Sequence, residues 1–277
     1  MPRVISEGET TSSDLEVKKF ATIDWWDENG SMAMLHCLNP LRLDYILEWI
    51  GKSDLIQIPK CNRQAHMEWT QVKGKVKLNS TRNDGQSLKL SGVNVLDIGC
   101  GAGILSIPLA RLGAHVTGID TSEEAIATAK NYSKELGLNI DFRKTAIEAY
   151  HRHELETYDM ITALEVIEHV ENLELFLHCC WQILRKNGLL FISSISRTVR
   201  SFLKAIVAAE YLLGIVPKGM HSWQKFVSPL EIINALPQSH TVLMNLSGVG
   251  VQLTRNGYGF GLTDDVNVNY IMCLRKA

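Results

Sequence analysis

Two acids frame the stretch of chain with the clearest chemical sense. Asp97 sits in a short apolar run, Val95, Leu96 and Ile98, that breaks at once into Gly99, Gly101 and Gly103. Asp120 closes a second apolar run, His115–Ile119, after a helical pattern carried by Ile104, Leu105, Ile107 and Leu109. Strand, glycine turn, helix, strand and acid, in that order, form the nucleotide half of a doubly wound α/β sheet. Glycine in the turn lets backbone approach a ligand where a Cβ would collide. An acid at the tip of the second strand can accept both hydroxyls of a ribose.

The spacing selects among nucleotides. A dinucleotide loop reads Gly-x-Gly-x-x-Gly because it must hold a pyrophosphate at a helix N-terminus. Here the order is Gly-x-Gly-x-Gly, and Ser106 stands where the dinucleotide pattern begun at Gly101 requires its third glycine. Asp97 would repel a pyrophosphate but suits a ligand with an ammonium, a sulfonium and a ribose. S-adenosylmethionine has all three, so the expectation is a methyl donor at Asp97, Gly99, Gly101 and Asp120. A ligand-free glycine turn and a dinucleotide site are the alternatives.

A second constellation follows the buried run Asp159–Leu164: Glu165, Glu168 and His169. On a helical turn these occupy i, i+3 and i+4 and share one face. They should lie at the carboxyl edge of the sheet, beside the ligand crevice. Two carboxylates and an imidazole can hold Mg²⁺, Zn²⁺ or another divalent ion and leave positions open for substrate. The same residues also suit a solvated helix start, where the helix dipole favours acids. A third segment, Arg197–Gly219, is strongly apolar with basic residues at both ends, yet Lys204 and Glu210 interrupt it. It reads as an interfacial helix, a lid over an apolar substrate, or a plain core helix. His221, in the aromatic stretch just after it, is a candidate base or substrate contact.

The chain that positions these groups has 277 residues, 45% of them apolar and 21% charged, the profile of an ordinary globule with ample core. A net charge of −2 argues against a nucleic-acid partner. The six cysteines form no Cys-x-x-Cys pair, which points to a reducing compartment. No apolar run reaches membrane-span length. Met1–Asp14 is polar with acids and lacks the look of a signal or arginine-rich transit sequence.

Amphipathic helices are expected at Asp14–Asn29 and Asn39–Ile50, so residues 1–52 form a helical segment over the donor site. Within it, Trp25 and Trp26 should point to different helix faces. Residues 53–91 read as a polar surface insertion, with seven Lys/Arg against two acids between Lys60 and Lys89. Residues 92–277 form the core. After the first unit come a helix at Ser122–Leu136, strands near Ile140–Lys144 and Asp159–Leu164, a helix at Leu173–Leu184, and a strand at Leu189–Ser194 after an Asn187-Gly188 turn. Thr241–Leu246 and Asn267–Leu274 read as two last strands with no helix between them. The alternation predicts a mostly parallel sheet.

Taken together, Trp25-Trp26-Asp27, Leu35-His36, Asn39-Pro40-Leu41-Arg42, the run Leu96–Leu105, Glu165–Val170, Ala209–Tyr211, Val216–Gly219 and Lys225-Phe226 resemble the ubiquinone-biosynthesis O-methyltransferase family, in its eukaryotic mitochondrial branch. The resemblance spans Phe20 to the C-terminus apart from the insertion, which looks more fungal than bacterial. It departs at Ala102, where many members have glycine, and at Ala163-Leu164, where they have Cys-Met. It implies a class I S-adenosylmethionine-dependent methyltransferase, Rossmann-like, with a mostly parallel seven-stranded sheet and an antiparallel last strand. It implies donor contacts at Arg42, Gly99, Asp120 and Leu164, and Mg²⁺ at Glu165, Glu168 and His169. It further implies methylation of catechol-type hydroxyls on a polyprenylated aromatic substrate. Peripheral association with the matrix side of the mitochondrial inner membrane, within a multi-subunit biosynthetic complex, would follow. Another N- or C-methyltransferase, a non-catalytic scaffold subunit of the same fold, and a dehydrogenase are the rivals.

Overall fold

The computed structural model describes residues 24–27, 30, 32–53, 69–72, 75–78, 89–198, 225–254 and 257–277. Helix α1, Ala33–Lys52, leads into a small antiparallel hairpin of β1 (Trp69–Val72) and β2 (Lys75–Leu78). The core then runs β3 (Asn94–Ile98), α2 (Ser106–Arg111), β4 (His115–Asp120), α3 (Glu123–Glu135), β5 (Asp141–Lys144), α4 (Ile147–Tyr150) and β6 (Tyr158–Leu164). It continues through α5 (Leu173–Ile183), β7 (Leu184–Ile195), α6 (Pro229–Ala235), β8 (Thr241–Thr254), β9 (Gly257–Thr263) and β10 (Asn269–Lys276).

Eight strands form one sheet in the order β5-β4-β3-β6-β7-β10-β8-β9. The first five are parallel; β10 lies antiparallel between β7 and β8, and β9 antiparallel along β8. The order turns back at β3, where β4 lies on one side and β6 on the other, and the crevice at the strands' carboxyl ends opens there.

Strand alternation divides the core into two layers. Leu190 and Ile192 of β7 face α5 and α6, packing with Phe176, Cys180, Ile232 and Tyr270. Leu189 and Phe191 face α1 and α2, packing with Leu43, Tyr45, Ile46 and Leu109. Local chemistry starts the helices where the layers need them. Ser122 Oγ accepts from Ala125 N to cap α3, and Ser228 with Glu231 forms a capping box around Pro229 for α6.

Four expectations change. The sheet has eight strands, not seven: β8 runs on to Thr254, and β9 follows it as an added edge strand. Helix α1 begins at Ala33, not Asn39, and passes through Pro40, which forgoes one helix hydrogen bond while Leu38 and Leu43 on either side are buried. Trp25 and Trp26 lie in a turn rather than a helix, and most of Asp14–Asn29 is outside the described residues. Asn187, at φ 63, sits inside β7 as an irregularity where Tyr158 pairs with Leu184 and Met160 with Leu189. No helix among the described residues is long and apolar enough to cross a membrane.

Candidate active site

At the sheet's carboxyl edge, β3 delivers Asp97, β4 delivers Asp120, and β6 delivers Leu164 and Glu165. Asp97 is buried. Its Oδ1 accepts from Thr162 Oγ1 at 2.7 Å and its Oδ2 from Ser106 Oγ at 2.5 Å. Burial pushes its carboxyl up to about 6, against the pull of those two hydroxyls and of Arg42. In a donor site this is a near-neutral switch. Donor affinity should hold above neutral pH and fall as pH drops through about 6, because protonated Asp97 no longer attracts an ammonium. Calorimetry from acid to mildly alkaline pH checks this, and Asp97→Asn should flatten the profile at the weaker level. For folding of the free protein the sign is opposite. A raised carboxyl contributes stability below its unfolded pKa, lost as pH rises through about 6.

Asp120 serves the loop as well as the crevice. Its Oδ2 accepts from Gly101 N at 2.9 Å and its Oδ1 from Ser122 N at 2.8 Å. Each oxygen keeps a second acceptor direction for a ribose hydroxyl. Burial raises its carboxyl pKa, and the backbone donors oppose the shift. Gly101 is glycine for a reason the sequence did not show. At φ 52, its added Cβ would lie 2.6 Å from the Trp25 ring, so the close approach comes from the N-terminal turn. His36 Nε2 donates to Trp25 O at 2.8 Å, and Trp25 packs with Met32, Ala102, Ile104 and Ala125. Trp26 stacks tilted on Tyr132, ring centroids 3.9 Å apart.

Arg42 of α1 reaches the same edge. It is buried, and its Nη2 lies 3.3 Å from Glu165 Oε1. Its Nε makes no hydrogen bond among the described residues, and its Nη2 meets the Glu165 carboxylate as an ion pair outside hydrogen-bond geometry. Burial lowers its pKa, with Glu165, Glu168 and Asp97 pulling the other way. A buried guanidinium with unspent donors is set up for an anionic ligand group.

The three expected metal ligands do not come together. Among the described residues no group of three His, Cys, Asp or Glu side chains could hold a metal ion. Glu165, with φ 58, is left-handed, so the helical spacing of Glu165, Glu168 and His169 does not apply; only Ile167–His169 forms a short 3-10 turn. The acids are also tied elsewhere. Ser193 Oγ donates to Glu165 Oε1 at 2.6 Å and Ser194 Oγ to Glu168 Oε2 at 2.9 Å. Ser193 and Ser194 are consecutive in β7 and point to opposite faces of the sheet. Ser193 pairs with Ile271, in the layer under α1; Ser194 pairs with Tyr270, in the layer under α5 and α6. Burial, with Glu165's charge adding, shifts Glu168 upward and favours its neutral form. This donor set does not fit a divalent ion as it stands.

Leu164, the last residue of β6, is buried beside Leu105 and Met160. His221 and most of the 197–226 segment lie outside the described residues. Thr162, Ser193 and Ser194 carry no signal in the sequence, because a hydroxyl within an apolar run shows nothing until its partner is known, and Ser106 reads there only as the absence of a third glycine.

Residues 89–236 match the model of a methyltransferase domain. The chain is 36% identical over 263 residues to the ubiquinone biosynthesis O-methyltransferase of Methylocella silvestris, covering 94% of this chain and 93% of that protein. It is 37% identical to the protein of the same name from Bradyrhizobium diazoefficiens, covering 95% and 93%. The PH0226 protein of Pyrococcus horikoshii shares the fold, with a TM-score of 0.58 at 14% identity over 94% of this chain and 99% of that one.

Proposed function

Because the chain belongs to the ubiquinone biosynthesis O-methyltransferase family, we propose that it transfers a methyl group from S-adenosylmethionine to a catechol-type hydroxyl of a polyprenylated aromatic ring. The observation that carries the donor side is Arg42, buried at the sheet's edge with its Nη2 ion-paired to Glu165 and its Nε without a hydrogen bond among the described residues. Arg42 would hold the donor's carboxylate, Asp97 its ammonium and Asp120 its ribose hydroxyls. When bound, S-adenosylmethionine supplies an electrophilic methyl on a positively charged sulfur. The residues around it fix its orientation and keep water from the crevice. The acceptor must lose a proton, and a phenol's pKa near 10 leaves only about one molecule in a thousand ionised at neutral pH.

The magnesium requirement is a separate proposal, supported by the donor types at Glu165, Glu168 and His169 and not by their arrangement. It requires Glu165 to leave Arg42 and Ser193. The mitochondrial setting, peripheral attachment to the inner membrane and membership of a biosynthetic complex are proposed on the family resemblance, and the division into helical cover, basic insertion and core on composition and periodicity. His221 and the apolar segment before it are proposed as acceptor-side elements on their residue types and order in the sequence.

One assay tests the reading: turnover of a synthetic polyprenyl dihydroxybenzoate with S-adenosylmethionine, with chelator and with added Mg²⁺. Methyl incorporation at a ring oxygen is the expected result. Equal rates in chelator and in Mg²⁺ would remove the metal and keep the methyltransferase. Donor binding without any methylated product would replace the enzyme with a scaffold.

A further inference from the structure

Glu165 is held in a way that a metal ligand or a solvated helix start does not need. Its N–H donates to Ser193 O at 3.0 Å and reaches Ser193 Oγ at 3.2 Å. The same Oγ donates back to Glu165 Oε1 at 2.6 Å. One serine thus fixes both the backbone and the carboxylate of a residue whose φ of 58 is unfavourable for glutamate. The oxygen it fixes, Oε1, is also the one facing Arg42 Nη2. Ser193 is itself buried and sits in β7, on a different element from either charged group.

We infer that Ser193 and Glu165 form a positioning relay for Arg42: Glu165 holds Nη2 as an ion pair, and the guanidinium donors it leaves over, Nε among them, are aimed at the donor's carboxylate. This rests on the proposed donor site. Glu165 neutralises one edge of a buried cation that would otherwise be unpaired before the donor arrives. Ser193 keeps that counter-ion from swinging into the crevice, where it would compete for the guanidinium. The relay's action is confined to the amino-acid end of the donor. Losing it should leave the adenosine end untouched, whereas a general weakening of the fold would affect both.

Two ligands separate these ends. S-adenosylhomocysteine carries the carboxylate and ammonium; 5′-methylthioadenosine carries the same nucleoside and sulfur without them. Calorimetry on the full chain would compare both ligands with wild type, Ser193→Ala, Glu165→Gln and Arg42→Met. Ser193→Ala and Glu165→Gln should each weaken S-adenosylhomocysteine about tenfold, the loss of one hydrogen bond to a charged group. Methylthioadenosine should stay within about twofold. The double variant should be no weaker than the worse single one, because both act through the same guanidinium.

Equal losses for the two ligands would overturn the relay in favour of a structural role. If Arg42→Met alone removes the preference while the other variants keep it, the relay fails and the donor site stands. If Arg42→Met also keeps it, both fail. Should Ser193→Ala not fold, Glu165→Gln carries the same comparison, with thermal melting as its control.

Discussion

Replacing Arg42 with methionine should raise the KM for the methyl donor about 100-fold, with a far smaller change in kcat at saturation. Arg42 Nε has no hydrogen-bond partner among the described residues, and Nη2 has only an ion pair with Glu165 beside it, so a carboxylate arriving there meets buried donors with capacity left over. That contact is remote from the transferring methyl and is made equally in the bound complex and the transition state, so its loss falls on KM. Arg42→Lys should recover only part of the affinity, since an ammonium keeps the charge without the planar fork. Folding should change modestly in either variant, because the Glu165 side chain is 19% exposed and keeps its Ser193 hydrogen bond. Steady-state kinetics with urea unfolding alongside would separate the two effects. An unchanged donor KM would remove Arg42 from the site.

The largest loss of stability should come from Phe142→Ala, about 3–5 kcal/mol, the usual cost of emptying a buried phenylalanine site. Phe142 is the one buried residue of β5, whose neighbours Asp141, Arg143 and Lys144 are exposed. Its ring packs with Cys100, Ile126 and Ala129 and lies where a Cβ on Gly118 would fall, 2.6 Å away. The ring therefore joins the edge strand to the floor of the glycine loop. Thr145 N donates to Asp120 O just beyond it, so loosening β5 should also weaken donor binding. Gly118→Ala should cost about 1–3 kcal/mol by overpacking. Combined with Phe142→Leu it should cost less than the sum, because the smaller side chain yields the space the new methyl needs. Chemical unfolding midpoints with calorimetry would show both patterns.

The nucleotide half of the sheet was legible because its signals are local. Apolar runs of strand length, a glycine turn and terminal acids fix β3, α2 and β4 without long-range information. The left-handed backbone at Glu165 was not legible. Glutamate does not announce a positive φ, and the conformation follows from Ser193, 28 positions away in the chain. The helical spacing of Glu165, Glu168 and His169 was real in the sequence and irrelevant in space. Strand β9 was missed for a related reason. Gly257, Gly259 and Gly261 alternate through it and read as loop, yet they pair along β8, and the Gln252 side chain occupies the space a Cβ on Gly261 would need. Helix α1 extends more than a turn beyond Asn39 toward the N-terminus and carries Pro40 inside it, flanked by buried Leu38 and Leu43.

Strand β10 lies between β7 and β8, although it follows both in the chain. During synthesis, the segment that joins the parallel half to the β8–β9 pair is translated after everything it must connect. Until it emerges, β7 offers a bare, strongly apolar border, and β8 with β9 has nothing to dock against. Such a nascent chain presents unpaired strand edges to its surroundings until β10 is available to pair with both sides.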